Sequence, residues 1–249
     1  MKHTLLIFLA IILLPAASMA QENQPKDKDW ARFAYYDNLN KKVEKKPLAI
    51  LYGDSITRGW ARTDGDWLKE RNFLGRGIGG QTTMQLLVRF RADVIELDPE
   101  YVVILAGIND IARNNGYITM TNTFKNLLSM VDLAKYHGIK PVMCTILPAD
   151  EIGWRKRVGD PRPQIDSLNT MIRNYAKAND IPLVDYHTAM KDDNGGMISE
   201  YRTDAVHPNL EGYKVMEGVL ADVFYKILKK KPKRQRSKWS LNILMLTKN

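Results

Sequence analysis

Tyr101-Val102-Val103-Ile104-Leu105-Ala106 is an unbroken apolar run, and Gly107-Ile108-Asn109-Asp110 ends it. A strand with one wet face alternates apolar and polar residues; a run without alternation fits a strand covered on both faces. Further short apolar runs stand at Leu48–Tyr52, around Phe73–Ile78, at Pro141–Leu147 and at Pro182–Tyr186. Between them the period changes to that of a helix. Phe124, Leu127, Leu128, Val131 and Ala134 step by three and four, as do Ile165, Leu168, Met171, Ile172 and Tyr175, and then Met216, Val219, Leu220, Val223 and Ile227. Gly138 after His137, with Pro141 just beyond, is a helix stop. Strands alternating with amphipathic helices call for right-handed crossovers, hence an α/β domain whose parallel sheet is covered on both faces.

Outside this rhythm, Trp30 to Val43 reads as a helix with Trp30, Phe33, Ala34 and Leu39 as packing positions. Ala149–Gln164, with Pro, Gly, Trp154 and mixed charges, reads as a long irregular loop and so as a candidate functional segment. The single cysteine, Cys144, lies in an apolar run and reads as a small buried strand residue; no internal disulfide can form.

The N-terminus carries Lys2 and His3, an apolar run from Leu5 to Leu14, Pro15, and then Ser18-Met19-Ala20. This is the pattern of a secretory signal peptide cleaved after Ala20, since a bilayer-spanning helix needs about 20 apolar residues. No cysteine follows the run to carry a lipid anchor. Export to the periplasm or the medium is the expectation.

The formal net charge is +9, but seven cations fall in Lys229–Lys238 and one is Lys2, leaving about +1 for the body. A cationic run of this kind reads as a solvated, disordered tail. It could touch a polyanion or an anionic lipid surface; a nucleic-acid partner for the body is not expected. The apolar stretch Leu241–Leu246 is too short to span a membrane.

Four short segments fall just after the first three strands or before the last helix, and in open α/β sheets that edge binds ligands. Gly53-Asp54-Ser55-Ile56 follows the first strand; its glycine permits a sharp turn that exposes the serine, although a serine in such a turn can equally be a plain cap. Asp204-Ala205-Val206-His207 precedes the last helix. A serine hydroxyl needs a base to take its proton, and the base needs a third group to fix its tautomer. An Asp three residues before a His can supply that within one loop. His187, next to Asp185, is the second candidate base; His137 is accounted for by a helix C-terminus. Gly79-Gly80-Gln81-Thr82-Thr83 and Gly107-Ile108-Asn109-Asp110 offer backbone N–H groups and a side-chain amide suited to a developing oxyanion. Asp54 and Asp110 read as turn braces. No Gly-x-Ser-x-Gly elbow surrounds Ser55, and no His-Glu-x-x-His or cysteine cluster suggests a metal.

In this order the four segments resemble the blocks of the SGNH (GDSL-type) hydrolase superfamily, over roughly Leu48 to Leu220. The resemblance implies a flavodoxin-like three-layer α/β/α sandwich with a five-stranded parallel sheet, and ester hydrolysis through a serine acyl-enzyme without a cofactor or metal. It further implies Ser55, Asp204 and His207 as the triad, and an oxyanion hole of the Ser55 N–H, the Gly80 N–H and the Asn109 side chain. Gly80 is chosen over Gly79 as the residue before the Gln-Thr step. The chain then divides into a signal peptide (1–20), a leader and helix (21–45), the hydrolase domain (46–228) and the basic tail (229–249).

The second block also resembles the platelet-activating-factor acetylhydrolase branch, which suggests a short acyl group. With export and no long apolar lid, the expected substrate is an acetyl-like ester, carried on a small molecule or an O-acetylated glycan. Trp60 and Trp154 are candidate stacking surfaces for it, against the commoner role of Trp in packing. The alternatives are a lysophospholipase or thioesterase, and a non-catalytic glycan-binding protein on the same scaffold.

Overall fold

The computed structural model describes residues 29–231. The signal-peptide segment, the rest of the leader before Asp29 and the tail beyond Lys231 lie outside the described residues. The order of elements is α1 (Ala34–Asn40), β1 (Ala49–Gly53), α2 (Ser55–Thr63), α3 (Gly65–Glu70), β2 (Phe73–Gly77), α4 (Thr83–Asp93), β3 (Tyr101–Leu105), α5 (Ile108–Ile111), α6 (Met120–Tyr136), β4 (Lys140–Cys144), α7 (Arg162–Ala178), β5 (Leu183–Val184), α8 (Tyr186–Met190) and α9 (Leu210–Lys230).

All five strands are parallel, in the order β2-β1-β3-β4-β5. Every residue of β1 and β3 is buried, as an unalternating apolar run requires. Helices α4, α6 and α7 pack beside one another, while α2, α3, α8 and α9 form the opposite layer. This is the three-layer α/β/α sandwich. Phe224 of α9 ties the second layer to the sheet, its ring 4.9 Å from Phe73 in β2 and 5.3 Å from Tyr101 in β3. The stop after α6 takes the expected form: Gly138 has φ +73° and Ile139 N–H donates back to Ala134 O at 2.9 Å. Cys144 is buried in β4.

The N-terminal helix corrects its sequence reading. It is confined to Ala34–Asn40, and Trp30, Phe33 and Leu39 are exposed. Polar anchors hold it instead. Tyr36 is buried and its Oη donates to Gly77 O at 2.6 Å, while Asn40 Nδ2 donates to Asp93 Oδ1 at 2.8 Å. At the other end α9 runs to Lys230. The Ala149–Gln164 segment is irregular apart from a 3₁₀ turn over Gly153–Val158 and the start of α7.

Because Phe224 is fully buried between two rings, Phe224→Ala should remove about 3–5 kcal/mol of stability. Urea unfolding of both proteins measures this; a loss under about 1 kcal/mol would mean that the layer closes over the gap.

Candidate active site

In a sheet of this order the chain turns outward in opposite directions after β1 and β3, and a crevice opens between their C-terminal ends. Ser55 stands directly beyond β1, as the first residue of α2. Gly53 must precede it, because a Cβ there would run into Leu105 O and Thr57 Oγ1. Asp54 caps the helix, its Oδ1 accepting from Ile56 N–H at 3.0 Å. Ser55 is thereby fixed with its hydroxyl toward the loop that leads into α9.

That loop carries His207. Its Nε2 is 2.9 Å from Ser55 Oγ, and its Nδ1 is 2.8 Å from Asp204 Oδ2 and 3.0 Å from Oδ1. Asp204 Oδ1 also accepts from the N–H groups of Val206 and His207, both at 2.8 Å. Burial would raise the Asp204 carboxyl, but these backbone and imidazole hydrogen bonds outweigh it and hold the group below its ordinary value. An ionised Asp204 accepts only, so it places a proton on Nδ1 and leaves the Nε2 lone pair to the serine. The loop is closed by Thr203 N–H donating to His207 O at 2.8 Å, and Asn209 then caps α9 through Gly212 N–H at 3.0 Å.

The turn after β2 supplies the facing wall. Gly80 has φ +79°, a conformation that side chains rarely adopt. Neither its N–H nor that of Ser55 has an acceptor among the described residues. Asn109, in α5 beyond β3, is buried; its Nδ2 donates to Gln81 O at 3.0 Å and faces Asp54 Oδ2 at 3.2 Å. Asp110 is the brace expected of it: it accepts from Thr83 N–H at 2.9 Å and from Thr83 Oγ1 at 2.6 Å, locking the start of α4 to α5.

Trp154 lies at this edge, its ring 5.7 Å from that of His207 and its Nε1 donating to Asn114 Oδ1 at 3.1 Å. Trp60 does not. Only 2% exposed, it is enclosed by Trp67, Tyr186 and Tyr213 and donates to Glu217, so the reading of Trp60 as a substrate platform is corrected. It sits on the inward face of α2, about one and a half turns beyond Ser55. His187, the second candidate base, is a buried residue of α8, its N–H donating to Thr145 Oγ1 at 2.9 Å and its Nε2 3.6 Å from Asp166 Oδ1; Ser55 Oγ meets His207 instead. Sequence reasoning missed Arg89 and Asn114. Arg89 is fully buried and donates to Gln81 Oε1, Asp93 Oδ2, Gly53 O and Arg76 O, joining the turns after β1 and β2. No metal-binding group of His, Cys, Asp or Glu occurs among the described residues.

Burial pushes the carboxyls of both Asp54 and Asp110 up to about 6 from 3.8. A carboxyl whose pKa is raised by folding holds its proton more tightly in the folded state, so its contribution is largest below about pH 4 and is lost as the pH rises through about 6. Asp110→Asn should therefore flatten the fall in urea midpoint between pH 4 and 7 relative to the parent chain. Parallel curves for the two proteins would mean that Asp110 does not titrate in this range.

Comparison with known proteins agrees with this architecture. The model of the GDSL-like lipase/acylhydrolase family matches residues 51–215. Among curated proteins, an uncharacterized lipoprotein YqeF of Bacillus subtilis is 29% identical over 182 residues, covering 61% of this chain and 75% of that one. A solved structure from Bacteroides fragilis is 43% identical with a TM-score of 0.78, covering 81% of this chain and 99% of that one. A GDSL-like lipase from Bacteroides thetaiotaomicron is 41% identical with a TM-score of 0.76, covering 79% and 98%.

Proposed function

The chain belongs to the GDSL-like lipase/acylhydrolase family and is a hydrolase acting on esters; from that premise we propose that Ser55, His207 and Asp204 carry the reaction and that its substrates are short-chain, acetyl-like esters of hydroxyl-rich molecules such as O-acetylated glycans. The observation that carries the first part is the unbroken line from Asp204 through both nitrogens of His207 to Ser55 Oγ, with contacts of 2.8 and 2.9 Å.

In this mechanism His207 Nε2 takes the hydroxyl proton as Ser55 Oγ attacks the ester carbonyl. Asp204 stays ionised and stabilises the imidazolium. The oxyanion is received by the N–H groups of Ser55 and Gly80 and by Asn109 Nδ2. In the free protein that amide rests on Gln81 O and, at the longer distance of 3.2 Å, on Asp54 Oδ2; a developing oxyanion competes for the weaker of the two contacts. His207 then protonates the leaving alcohol, and water repeats the sequence on the acyl-enzyme.

The polar surroundings of Asp204 support a hydroxyl-rich substrate. Beside Asp204 opens a cleft of about 590 Å³ whose walls include Asp150, Glu151, Arg162, Arg202 and Thr203. Charged and hydroxyl groups suit a polyol better than a second alkyl chain. The half-exposed ring of Trp154, 5.7 Å from that of His207, offers an apolar face of the kind that sugar rings stack on. Export fits such a substrate, and the B. subtilis relative is named a lipoprotein; no helix among the described residues is long and apolar enough to cross a membrane.

The purified chain should hydrolyse p-nitrophenyl acetate, and Ser55→Ala should abolish it. The acetate should be preferred to the decanoate by at least about tenfold in kcat/KM, which is about 1.4 kcal/mol of transition-state binding; the reverse order would favour a lysophospholipase or thioesterase, and no turnover with the fold intact would favour a glycan-binding protein. Asn109→Ala should lower kcat by roughly 10²–10³-fold, and full activity in that variant would remove Asn109 from the hole.

A further inference from the structure

Asn114 lies just past the end of α5, and Arg113 before it adopts φ +56°, uncommon for a residue with a side chain. That left-handed residue ends the helix and turns Asn114 back over it, its N–H donating to Asn109 O at 3.0 Å. Its side chain is then fully engaged: Nδ2 donates to Asn109 Oδ1 at 2.8 Å and to Gly80 O at 3.1 Å, and Oδ1 accepts from Trp154 Nε1 at 3.1 Å. An indole N–H can only donate and a carbonyl oxygen can only accept. The indole therefore requires the oxygen of Asn114 on its side, and Gly80 O requires the amino group on the other. Asn109 is left with its oxygen toward Asn114 and its amino group toward Asp54, Gln81 and the serine turn. Every group in the chain agrees on one polarity.

We propose that Asn114 is a positioning residue that sets the orientation of the Asn109 amide and the Gly80 turn, and that Trp154 is its outer anchor, so that the 149–164 loop is a working part of the oxyanion hole. The proposal rests on the oxyanion reading of Asn109 and Gly80 given above. It explains why Trp154 stays 43% exposed yet hydrogen-bonded, with its ring against His207. One side chain thus borders both the base and the support of the oxyanion donors.

Asn114→Asp keeps the shape and the acceptor for Trp154 but faces Asn109 Oδ1 and Gly80 O with a second acceptor. It should lower kcat for p-nitrophenyl acetate by at least about tenfold while KM stays within about twofold, since only transition-state binding is touched. In an Asn109→Ala background the same change should cost less than about threefold, because its main partner is gone. Trp154→Phe, at an exposed position that keeps a ring over His207, should lose a few-fold in kcat and nothing further when combined with Asn114→Asp. It serves as the test should Asn114→Asp fail to fold.

The second readout is the rate at which an alkyl fluorophosphonate labels Ser55, followed by intact mass, which uses the same hole without requiring the right ester. A parent chain that labels at Ser55 but does not cleave the acetate ester would sink the short-acyl reading alone, and the variants' labelling rates would still decide the role of Asn114. Unchanged rates in Asn114→Asp and Trp154→Phe, or equal losses with and without Asn109, would overturn the proposal; a parent chain that neither labels nor hydrolyses would overturn both.

Discussion

The site depends on a cation with no access to water. Near the C-terminal ends of β1 and β2 lie the carbonyls of Gly53, which accepts from Ile78 N–H at 3.2 Å, and of Arg76. Arg89 Nη2 reaches both, at 3.1 and 3.0 Å, while Nη1 pairs with Asp93 at 2.6 Å and Nε holds Gln81 Oε1. Tyr52 lies against the guanidinium, which is 4.5 Å from the ring centroid. A buried guanidinium costs several kcal/mol in lost hydration, and only a complete set of partners offsets it. The partners here are the residues that lead into the Ser55 and Gly80 turns. Displacement of one turn against the other would strip partners from a buried charge, so the spacing of the turns at Ser55 and Gly80 is tied to Arg89.

The same economy of partners joins the third strand. Asp54 caps α2 with one oxygen and faces Asn109 with the other; Asp110, next to Asn109, clamps the first turn of α4. Three turns that leave the sheet at β1, β2 and β3 are thus bound by side chains that need no contact with substrate. They leave two N–H groups without an acceptor among the described residues, that of Ser55 at the start of α2 and that of Gly80 in the turn between β2 and α4.

This network explains what the sequence shows and hides. Strands β1 and β3 are legible because they are covered on both faces, and α6, α7 and α9 because their inward faces are apolar. Helix α4 escapes a hydropathy reading: its buried residues include Gln85, Arg89 and Asp93 beside Leu86 and Phe90, so its inward face is half polar. Trp60 misleads for a related reason. Chain proximity places it five residues beyond Ser55, but one and a half helical turns carry it to the inner layer under Tyr213. The pairing of Ser55 with His207 across 152 residues is legible only through the four-segment pattern, and the Asp204–His207 spacing adds the local part. Asn114 leaves no trace in sequence, since its role arises from a left-handed Arg113 and from a loop 40 residues away.

The placement of the carboxylates follows from electrostatics. Asp54 and Asp110, enclosed at the sheet edge, are driven up to about 6, which suits groups that only brace turns. Such a position is less suited to a carboxylate that must stay charged, because burial favours its protonated form. Asp204 instead stands on a half-exposed loop outside the sheet, where two backbone N–H groups and the imidazole overcome a smaller burial penalty. A Thr203–His207 turn carries Asp204 and His207 together, so their mutual geometry is local and does not depend on the sheet. The proposed nucleophile, Ser55, stands at the start of α2 directly beyond β1, whereas the proposed acid, Asp204, stands on the exposed rim. That division places the last segment of the site before α9 rather than after another strand.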